Sequence, residues 1–359
     1  MKRHLSPALV LPALLVVSSL AKAQGSVTLY GLIDTGITYV SNAGGKSEVV
    51  ANDGIIQPSR FGFRGSEDLG GGTQAIFTLE NGFSLNTGAF SQSGLIFGRQ
   101  AFVGVTNSRW GSLTLGRQYD FVWDYITLFS MGSRIGAYGF HPGDYDHLGG
   151  SLRINNAVKY SVQPIGGLSL GVLYAFGGQP ASASNGRAVA AGARYTGGIF
   201  SIAAAYNNVH DMPLNPSAQI ATSLGPSFPQ GLFVANNLQN IELAASVTVG
   251  PSSTRALFTD TTIDTPSTSA TMRSYEVSEV YQFTPAIAFS AGYAFTRMSP
   301  AIWRNVSAVL DYSLSKRTDV YLSAAYQNAS GGAHAAFLTL PPSSNGHDTA
   351  VRIGMRTFF

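Results

Sequence analysis

The chain has 359 residues, no cysteine, and only 11% charged residues, against roughly 25% in an ordinary soluble domain. It is rich in glycine (41 residues) and in aromatic side chains (16 tyrosines and 21 phenylalanines). Apart from the bases of the first 23 residues, 19 basic residues balance 19 acidic ones, so no nucleic-acid partner is expected. This composition fits neither a disordered chain nor a helical membrane protein.

Residues 1–23 have the pattern of a signal peptide. They begin with two bases (Lys2 and Arg3), continue with an apolar stretch and end on small residues before a predicted cleavage at Gln24. A membrane-anchoring helix is the alternative, which the short apolar stretch and Pro12 disfavour. The mature chain is therefore predicted to be exported, and without cysteine it must be stabilised by something other than disulfides.

Sixteen segments with alternating apolar and polar residues follow the signal peptide. Most have about ten residues, the length of a tilted strand that crosses a bilayer. In chain order they lie near 26–40, 57–66, 73–83, 96–106, 111–118, 152–162, 168–177, 187–195, 199–208, 238–249, 253–262, 272–282, 287–297, 303–314, 319–328 and 349–359.

The last segment, "VRIGMRTFF", shows the alternation well. Val351, Ile353 and Met355 share one face of an extended strand, whereas Arg352 lies on the other. Such a strand separates two different solvents, and lipid outside with water inside satisfies the pattern. Glu279 is an exception, because it falls on the aromatic side of its segment.

The connections between these segments alternate between short and long. The short ones are turns rich in Gly, Pro and Asn, and the pattern predicts an up-and-down barrel with both termini on the side of the short turns. Closure is required because an open sheet edge has no hydrogen-bond partner in hydrocarbon. The long connections are predicted at 41–56, 84–95, 119–151, 178–186, 209–237, 263–271, 298–302 and 329–348.

Several longer stretches resemble the general-diffusion porins of the neisserial and burkholderial type. These are "SVTLYGLIDTGI", "SRFGFRGSEDLGGGTQAIFTLENGF", "GRQAFVGVTNSRWGSLTLGRQYD", "YSLSKRTDVY" and the terminal Phe359. The stretches occur in the order and spacing of the family, and the resemblance covers essentially the whole mature chain. "AVLDYSLSKRT" departs slightly, because the family often has Gly before this element.

The resemblance implies an all-β protein, a 16-stranded antiparallel transmembrane β-barrel with an inward-folded constriction loop. Residues 24–359 would form this barrel, as a homotrimer in the outer membrane surrounded by lipid and lipopolysaccharide. Phe359 is similar to the C-terminal signal read by the outer-membrane assembly machinery. The implied function is passive diffusion of small hydrophilic solutes and ions through a water-filled lumen, with no cofactor.

The connection 119–151 is the predicted constriction loop. It is too apolar for a free surface loop, since it contains Trp123, Ile126, Leu128 and Phe129. Packing of an apolar loop on a neighbouring subunit is the alternative. The loop acids predicted to face a basic wall are Asp120, Asp124, Asp144 and Asp146.

The basic wall is predicted from strand positions opposite apolar neighbours. Arg60 and Arg64, like Arg153 and Lys159, alternate with apolar or aromatic residues and are expected to face the lumen. Arg99 has the wrong parity, and only the resemblance places it at the constriction. Several arginines at one depth predict a weak anion preference, although any one of them could be a rim charge or the partner of an acid.

Other functions are less well supported by the sequence. "HPGDYDH" has two His and two Asp within seven residues, but Pro and Gly make it a turn, so hydrogen bonding within the loop is preferred to metal binding. No hydrolase, zinc-peptidase or nucleotide-binding motif occurs, so an enzyme is not expected. A substrate-specific channel is the main alternative; it would require a ladder of inward aromatics or a run of inward bases. An adhesive barrel is a weaker alternative.

Overall fold

The computed structural model describes residues 25–92, 94–162, 164–178, 186–215 and 231–359. The predicted signal peptide lies outside the described residues. Seventeen strands in the described ranges form one antiparallel sheet. They are β1 (Ser26–Ala43), β2 (Lys46–Asp53), β3 (Arg60–Gly70), β4 (Thr73–Gly82), β5 (Gln100–Asn107), β6 (Gly111–Gln118), β7 (Ile154–Ser161), β8 (Leu168–Ala175), β9 (Ala188–Gly197), β10 (Phe200–Leu214), β11 (Phe233–Val249), β12 (Ser252–Asp264), β13 (Ser269–Thr284), β14 (Ile287–Met298), β15 (Ala301–Ser313), β16 (Thr318–Ser330) and β17 (His347–Phe358).

These strands occupy sixteen positions around a closed barrel. β3 pairs with the first part of β1 and β2 with the remainder, so β2 and β3 lie end to end in one position. The barrel closes between β1 and β17, from Leu32 opposite Phe358 to Val40 opposite Ala350. Phe359 extends the seam by exchanging two backbone hydrogen bonds of 3.0 Å with Gly31. The predicted 16-stranded barrel is confirmed.

The structure differs from the prediction in several connections. Residues 41–56 are mostly a hairpin of β1 and β2 that turns at Gly44 and Gly45, both with positive φ, rather than a long loop. The connections predicted at 263–271 and 298–302 are also short, because the flanking strands extend further. The strands continue there beyond the residues that alternate regularly. Outside the membrane a strand needs only its backbone hydrogen bonds and no apolar face, so the alternation does not predict these extensions.

The two faces of the wall have the predicted opposite character. Ile353 in β17 is 63% exposed on the outside, whereas its neighbour Arg352 is completely buried on the inside. None of the helices in the described residues is long and apolar enough to cross a membrane. Glu279 does lie on the outer face, near the short turn that precedes β12, where it accepts hydrogen bonds from Ser252 (2.5 Å) and Thr254 (2.6 Å). The hydrogen bonds from these two hydroxyls stabilise the Glu279 carboxylate, which explains how an acid is tolerated on the outer face.

A buried polar cluster joins β1 to the strands of the closing seam. The Arg352 guanidinium lies 3.3 Å from the Asp34 carboxylate, and the Tyr321 hydroxyl donates to the same carboxylate at 2.6 Å. Asp34 also accepts the backbone N–H groups of Ile56 (2.7 Å) and Gln57 (2.9 Å), which lie in the middle of the segment between β2 and β3. One carboxylate thus organises the place where the barrel closes.

Replacing Arg352 should destabilise the barrel strongly. Arg352→Met leaves the buried Asp34 carboxylate without its counter-charge, which costs about 3–5 kcal/mol of unfolding free energy. Urea unfolding in lipid vesicles measures this loss. The double variant Arg352→Met with Asp34→Asn should recover part of it, because the unpaired charge is removed. Equal losses in the single and double variants would argue against the charge pair as the cause.

Candidate pore lining and its inserted loop

The segment between β6 and β7 packs against the inner face of the barrel. It contains a π-helical turn (Val122–Ile126), 3-10 turns (Thr127–Phe129, Ala137–Gly139 and Pro142–Asp144) and one helix, α1 (Gly132–Ile135). Wall side chains from six strands hydrogen-bond to it. The pairs are Thr38 with Tyr138 (3.0 Å), Asn207 with Asp120 (2.6 Å), Asn240 with the Tyr145 carbonyl (3.0 Å), Thr259 with Asp146 (3.0 Å), Glu276 with the Met131 N–H (2.5 Å) and Asn305 with the Tyr138 carbonyl (2.7 Å).

Small wall residues make room for the start of this loop. A Cβ atom on Gly171 would lie 2.2 Å from the Phe121 ring, and one on Gly192 would lie 2.4 Å from the Cβ of Phe121. The ring of Tyr125 lies against Gly192 as well. Buried alanines of β7 to β11 complete this floor. Glycine at these two positions lets the aromatic side chains of the loop approach the backbone of the wall directly.

The apolar residues of the loop differ in their environments. Ile126 and Phe129 are buried in the cluster with the wall alanines, so this barrel itself provides their packing. Trp123 stacks on Tyr119, with ring centroids 4.6 Å apart. Leu128 is 57% exposed. Packing within one chain thus accounts for the apolar character of the loop start, which the alternative had assigned to a neighbouring subunit.

Three of the four predicted loop acids are buried. Asp120 accepts the N–H groups of Val122 and Trp123 and therefore caps the π-helical turn, and burial raises its pKa. Asp144 accepts the N–H groups of Gly149 (2.6 Å) and Ser151 (3.1 Å).

Asp146 is completely buried and bonded to Thr259 of β12. Asp124 is different, because its side chain is 34% exposed, and it lies 2.5 Å from the ammonium group of Lys159. Asp124 is therefore the one acid of the four with substantial access to the lumen.

His141 forms an ion pair that joins the loop to two strands. Its Nδ1 lies 2.5 Å from Asp146 and its Nε2 3.5 Å from Glu276 of β13. Burial by itself would lower the pKa of His141, but the two carboxylates outweigh it and raise the pKa to about 10. Asp146 is also desolvated, yet the imidazolium lowers its pKa. The "HPGDYDH" stretch thus forms hydrogen bonds within the loop and to the wall. No group of three or more potential metal ligands occurs among the residues the structure describes.

The predicted wall arginines gather around Tyr119, where the loop begins. Arg153 donates to the Tyr119 hydroxyl (3.1 Å), and its guanidinium carbon lies 5.1 Å from the ring centroid. Arg60, Arg64 and Arg99 line a pocket of about 240 Å³ together with Tyr119. These four bases come from three parts of the chain, because Arg60 and Arg64 share β3, and they form a single basic cluster, named here the arginine cluster.

Arg99 faces inward although its parity in the sequence points outward. β5 begins at Gln100, so Arg99 precedes the regular strand and escapes its alternation. Its side chain is 1% exposed and lies 2.8 Å from Glu80 of β4. Arg99 is thereby neutralised, whereas Arg60, Arg64 and Arg153 make no salt bridge within the described residues.

Some lining residues were not predicted. Arg194 lies 5.6 Å from the Tyr125 ring, and Arg255 donates to the Leu128 carbonyl at 2.9 Å. Arg194 alternates with Tyr195, so its parity could have indicated it, whereas Arg255 lies among short side chains without a clear pattern. Glu80 and Tyr119 have no sequence signal that separates them from other polar strand-end residues.

The fold and lining can now be compared with known proteins. The sequence matches the Gram-negative porin family over residues 8–332. The chain belongs to the Gram-negative porin family. The porin is 34% identical over 216 residues to an outer membrane porin of Bordetella pertussis, covering 53% of this chain and 56% of that one. It is also 34% identical over 254 residues to outer membrane porin protein 32 of Delftia acidovorans, covering 67% and 66%. The porin thus spans less than two thirds of the length of these two curated relatives.

A solved structure extends the comparison to nearly the whole porin. The anion-selective porin from Comamonas acidovorans superposes with a TM-score of 0.78 and 24% identity, covering 94% of this chain and 100% of that chain. At 24% identity, this similarity shows that the two proteins share the fold. Membership of the family and the closed barrel place this porin in the outer membrane.

Bulk added at Gly192 should displace the loop. Gly192→Leu places its side chain where Phe121 and Tyr125 lie, so the loop is pushed toward the lumen and single-channel conductance falls. Overpacking of this kind costs about 1–3 kcal/mol. Ala193→Leu is the matched control, because Ala193 lines a groove on the outer face. Unchanged conductance in Gly192→Leu, with the protein folded, would contradict the packing described.

The pH dependence of stability should reveal the His141 ion pair. The pKa of His141 is about 10 in the fold and about 6.5 in an unfolded chain, so its contribution is complete below pH 6.5 and is lost as the pH rises through 10. Burial and Asp146 raise the pKa of Asp144 to about 7. Ionisation of Asp144 therefore lowers the stability of the fold only as the pH rises to about 7, and it adds no further change above that pH. Thermal unfolding of the wild type should therefore approach that of His141→Gln between pH 7 and 10. A constant difference across this range would refute the assignment.

Proposed function

We propose that this porin is a general-diffusion channel of the outer membrane for small hydrophilic solutes and ions. A closed barrel with an apolar outside and a polar inside provides the path, and the loop between β6 and β7, predicted at 119–151, narrows it. Transport is passive: water fills the lumen, size sets the exclusion limit, and charge biases the flux. The proposal includes no catalytic step and no cofactor.

A weak preference for anions is part of this proposal. It rests on one observation, the arginine cluster, in which Arg60, Arg64 and Arg153 make no salt bridge in the described residues beside the loop. Such a cluster produces a local positive potential where a low-dielectric wall focuses the field. Lys159 and Asp124 neutralise each other nearby, so they contribute little net charge. The burial of Asp120, Asp144 and Asp146 removes most of the opposing acids from the solute path.

The assembly we propose is a homotrimer in the outer membrane, in contact with lipid and lipopolysaccharide. Phe359 is proposed to be part of the signal that the assembly machinery reads, and residues 1–23 to be the export signal. A solved outer membrane protein of Vibrio cholerae in its trimer form shares the fold at 15% identity with a TM-score of 0.69, and this supports the proposed trimer.

Neutralising the arginine cluster should shift ion selectivity. In a planar bilayer with a salt gradient, the wild type should give a large, linear conductance and a reversal potential of anionic sign. The triple variant Arg60→Gln, Arg64→Gln and Arg153→Gln should move that potential toward the cationic sign. Arg109→Gln, on an exposed turn between β5 and β6, is the matched control and should change nothing.

Two results would count against the proposal. A cationic reversal potential in the wild type would refute the anion preference. A small conductance that saturates with one added solute would indicate a substrate-specific channel instead of a general pore.

A further inference from the structure

Three arginines face outward on three adjacent strands, on the surface that contacts lipid. They are Arg273 in β13, Arg297 in β14 and Arg304 in β15, and all three are exposed. The neighbours of these arginines in the chain face inward. Ser274 and Thr296, next to Arg273 and Arg297, are both buried, and the Thr296 hydroxyl donates to the Ser274 hydroxyl at 3.0 Å.

The buried Asn305, which donates to the loop at Tyr138, fixes the outward direction of Arg304 in the same way. The orientation of the three arginines thus follows from the strand alternation.

The strand register places these arginines close together. Arg273 lies directly opposite Arg297, and Arg304 lies opposite Phe295, two residues from Arg297 on β14. Like charges directly opposite each other on antiparallel strands are destabilising unless an anion lies between them. Asp260 on β12 pairs with Arg273 at 2.7 Å. Arg297 and Arg304 make no salt bridge within the described residues, so the patch carries a net positive charge.

The rows beneath the arginines change from aromatic to largely aliphatic. One row toward the middle of the barrel, Phe258, Tyr275 and Phe295 form a continuous aromatic layer, with ring centroids 5.1 Å and 6.4 Å apart. Arg304 lies 5.7 Å from the Phe295 ring at the end of this layer.

The next row contains Val277 and Val306, each about half exposed, with Tyr293 between them. Charge, aromatic ring and aliphatic side chain therefore follow one another along the wall, in the order in which a lipid presents its headgroup, interface and acyl chains.

The patch lies at the end of the barrel that carries the long connections. Arg297 is the penultimate residue of β14, next to the connection to β15 at 299–300, on the same side as the long loop 331–346. Long loops of outer-membrane barrels are extracellular, so the patch meets the outer leaflet. In the contact with lipopolysaccharide proposed above, the lipid of that leaflet is a phosphorylated glycolipid. Arginine is the side chain best suited to phosphate, because its planar fork donates two parallel hydrogen bonds.

We propose that the outer face of β13–β15 binds a phosphate group of an outer-leaflet glycolipid through Arg273, Arg297 and Arg304. The aromatic layer beneath supports the sugar, and the aliphatic row contacts the acyl chains. This inference rests on the proposed contact of the barrel with lipopolysaccharide and is independent of conduction. Asp260 holds Arg273 in position, while Arg297 and Arg304 supply the charge that no acid of the chain neutralises.

The test measures binding of purified bis-phosphorylated lipid A to the folded porin in detergent. The triple variant Arg273→Gln, Arg297→Gln and Arg304→Gln should bind at least about tenfold more weakly than the wild type, because each arginine near the membrane surface contributes to the attraction. The corresponding triple Lys variant should bind with an affinity between those of the wild type and the triple Gln variant, since it keeps the charge but loses the paired hydrogen bonds of arginine. Arg317→Gln, on the exposed turn before β16 at the other end of the barrel, is the matched control and should bind as the wild type does.

Dephosphorylated lipid A distinguishes the phosphate from the acyl chains. It should bind wild type and triple Gln variant equally, and weakly. Equal affinity of both proteins for the phosphorylated lipid would overturn the proposal. So would a triple Gln variant that binds lipid A normally but loses its oligomeric state, because the patch would then face a neighbouring barrel. Single-channel conductance should be unchanged in the triple Gln variant, so failure of the proposed pore function and failure of the lipid site are separate results.

Discussion

Within a membrane, each backbone N–H and C=O group of this chain needs a hydrogen-bond partner on a neighbouring strand, because hydrocarbon offers none. This requirement determines most of the architecture. It makes the first and last strands pair, from Leu32 with Phe358 to Val40 with Ala350, and it extends that pairing to the terminal Phe359. It also explains why Asp34 and Arg352 are buried together at the seam, where two ends of the chain that are far apart in sequence must be held in one register.

Closure at sixteen positions leaves a lumen too wide for wall side chains to fill, and the loop after β6 occupies part of it. The wall is adapted to that loop in two ways. Gly171 and Gly192 have no side chain, so the aromatic rings of the loop pack directly on the wall there. Polar side chains on other strands form hydrogen bonds with the backbone of the loop. Most acids of the loop stabilise its position through buried contacts, as the ion pair of Asp146 with His141 shows. Arg99 and Lys159 of the facing wall are paired with acids, whereas Arg60, Arg64 and Arg153 make no salt bridge in the described residues, and the proposed positive potential of the lumen rests on these three.

Much of this could be predicted from the sequence because alternation is a strong signal when each face meets a different solvent. The strand count, the closure and the inward direction of Arg60 and Arg153 follow from it. The signal fails where a residue leaves the regular strand: Arg99 precedes β5, and its orientation depends on Glu80. It also fails in the β1–β2 hairpin, where the adjacent Val49 and Val50 in β2 interrupt the alternation that would reveal the strand. The burial of Asp120 could not be predicted, since it depends on Asn207, which is 87 residues away in the chain.

The arginines of this barrel show how one side chain takes different roles according to its position on a strand. Arg352 lies inside and is fully buried, so it needs Asp34 and contributes to the seam. Arg60 lies inside beside Tyr119 and Arg64, and it makes no salt bridge in the described residues. Arg304 lies outside, where it makes no salt bridge in the described residues, and the lipid phosphate proposed above would supply its counter-charge. A shift of one residue in register would exchange the inner and outer sets. The register therefore determines which arginines face the lumen and which face the membrane.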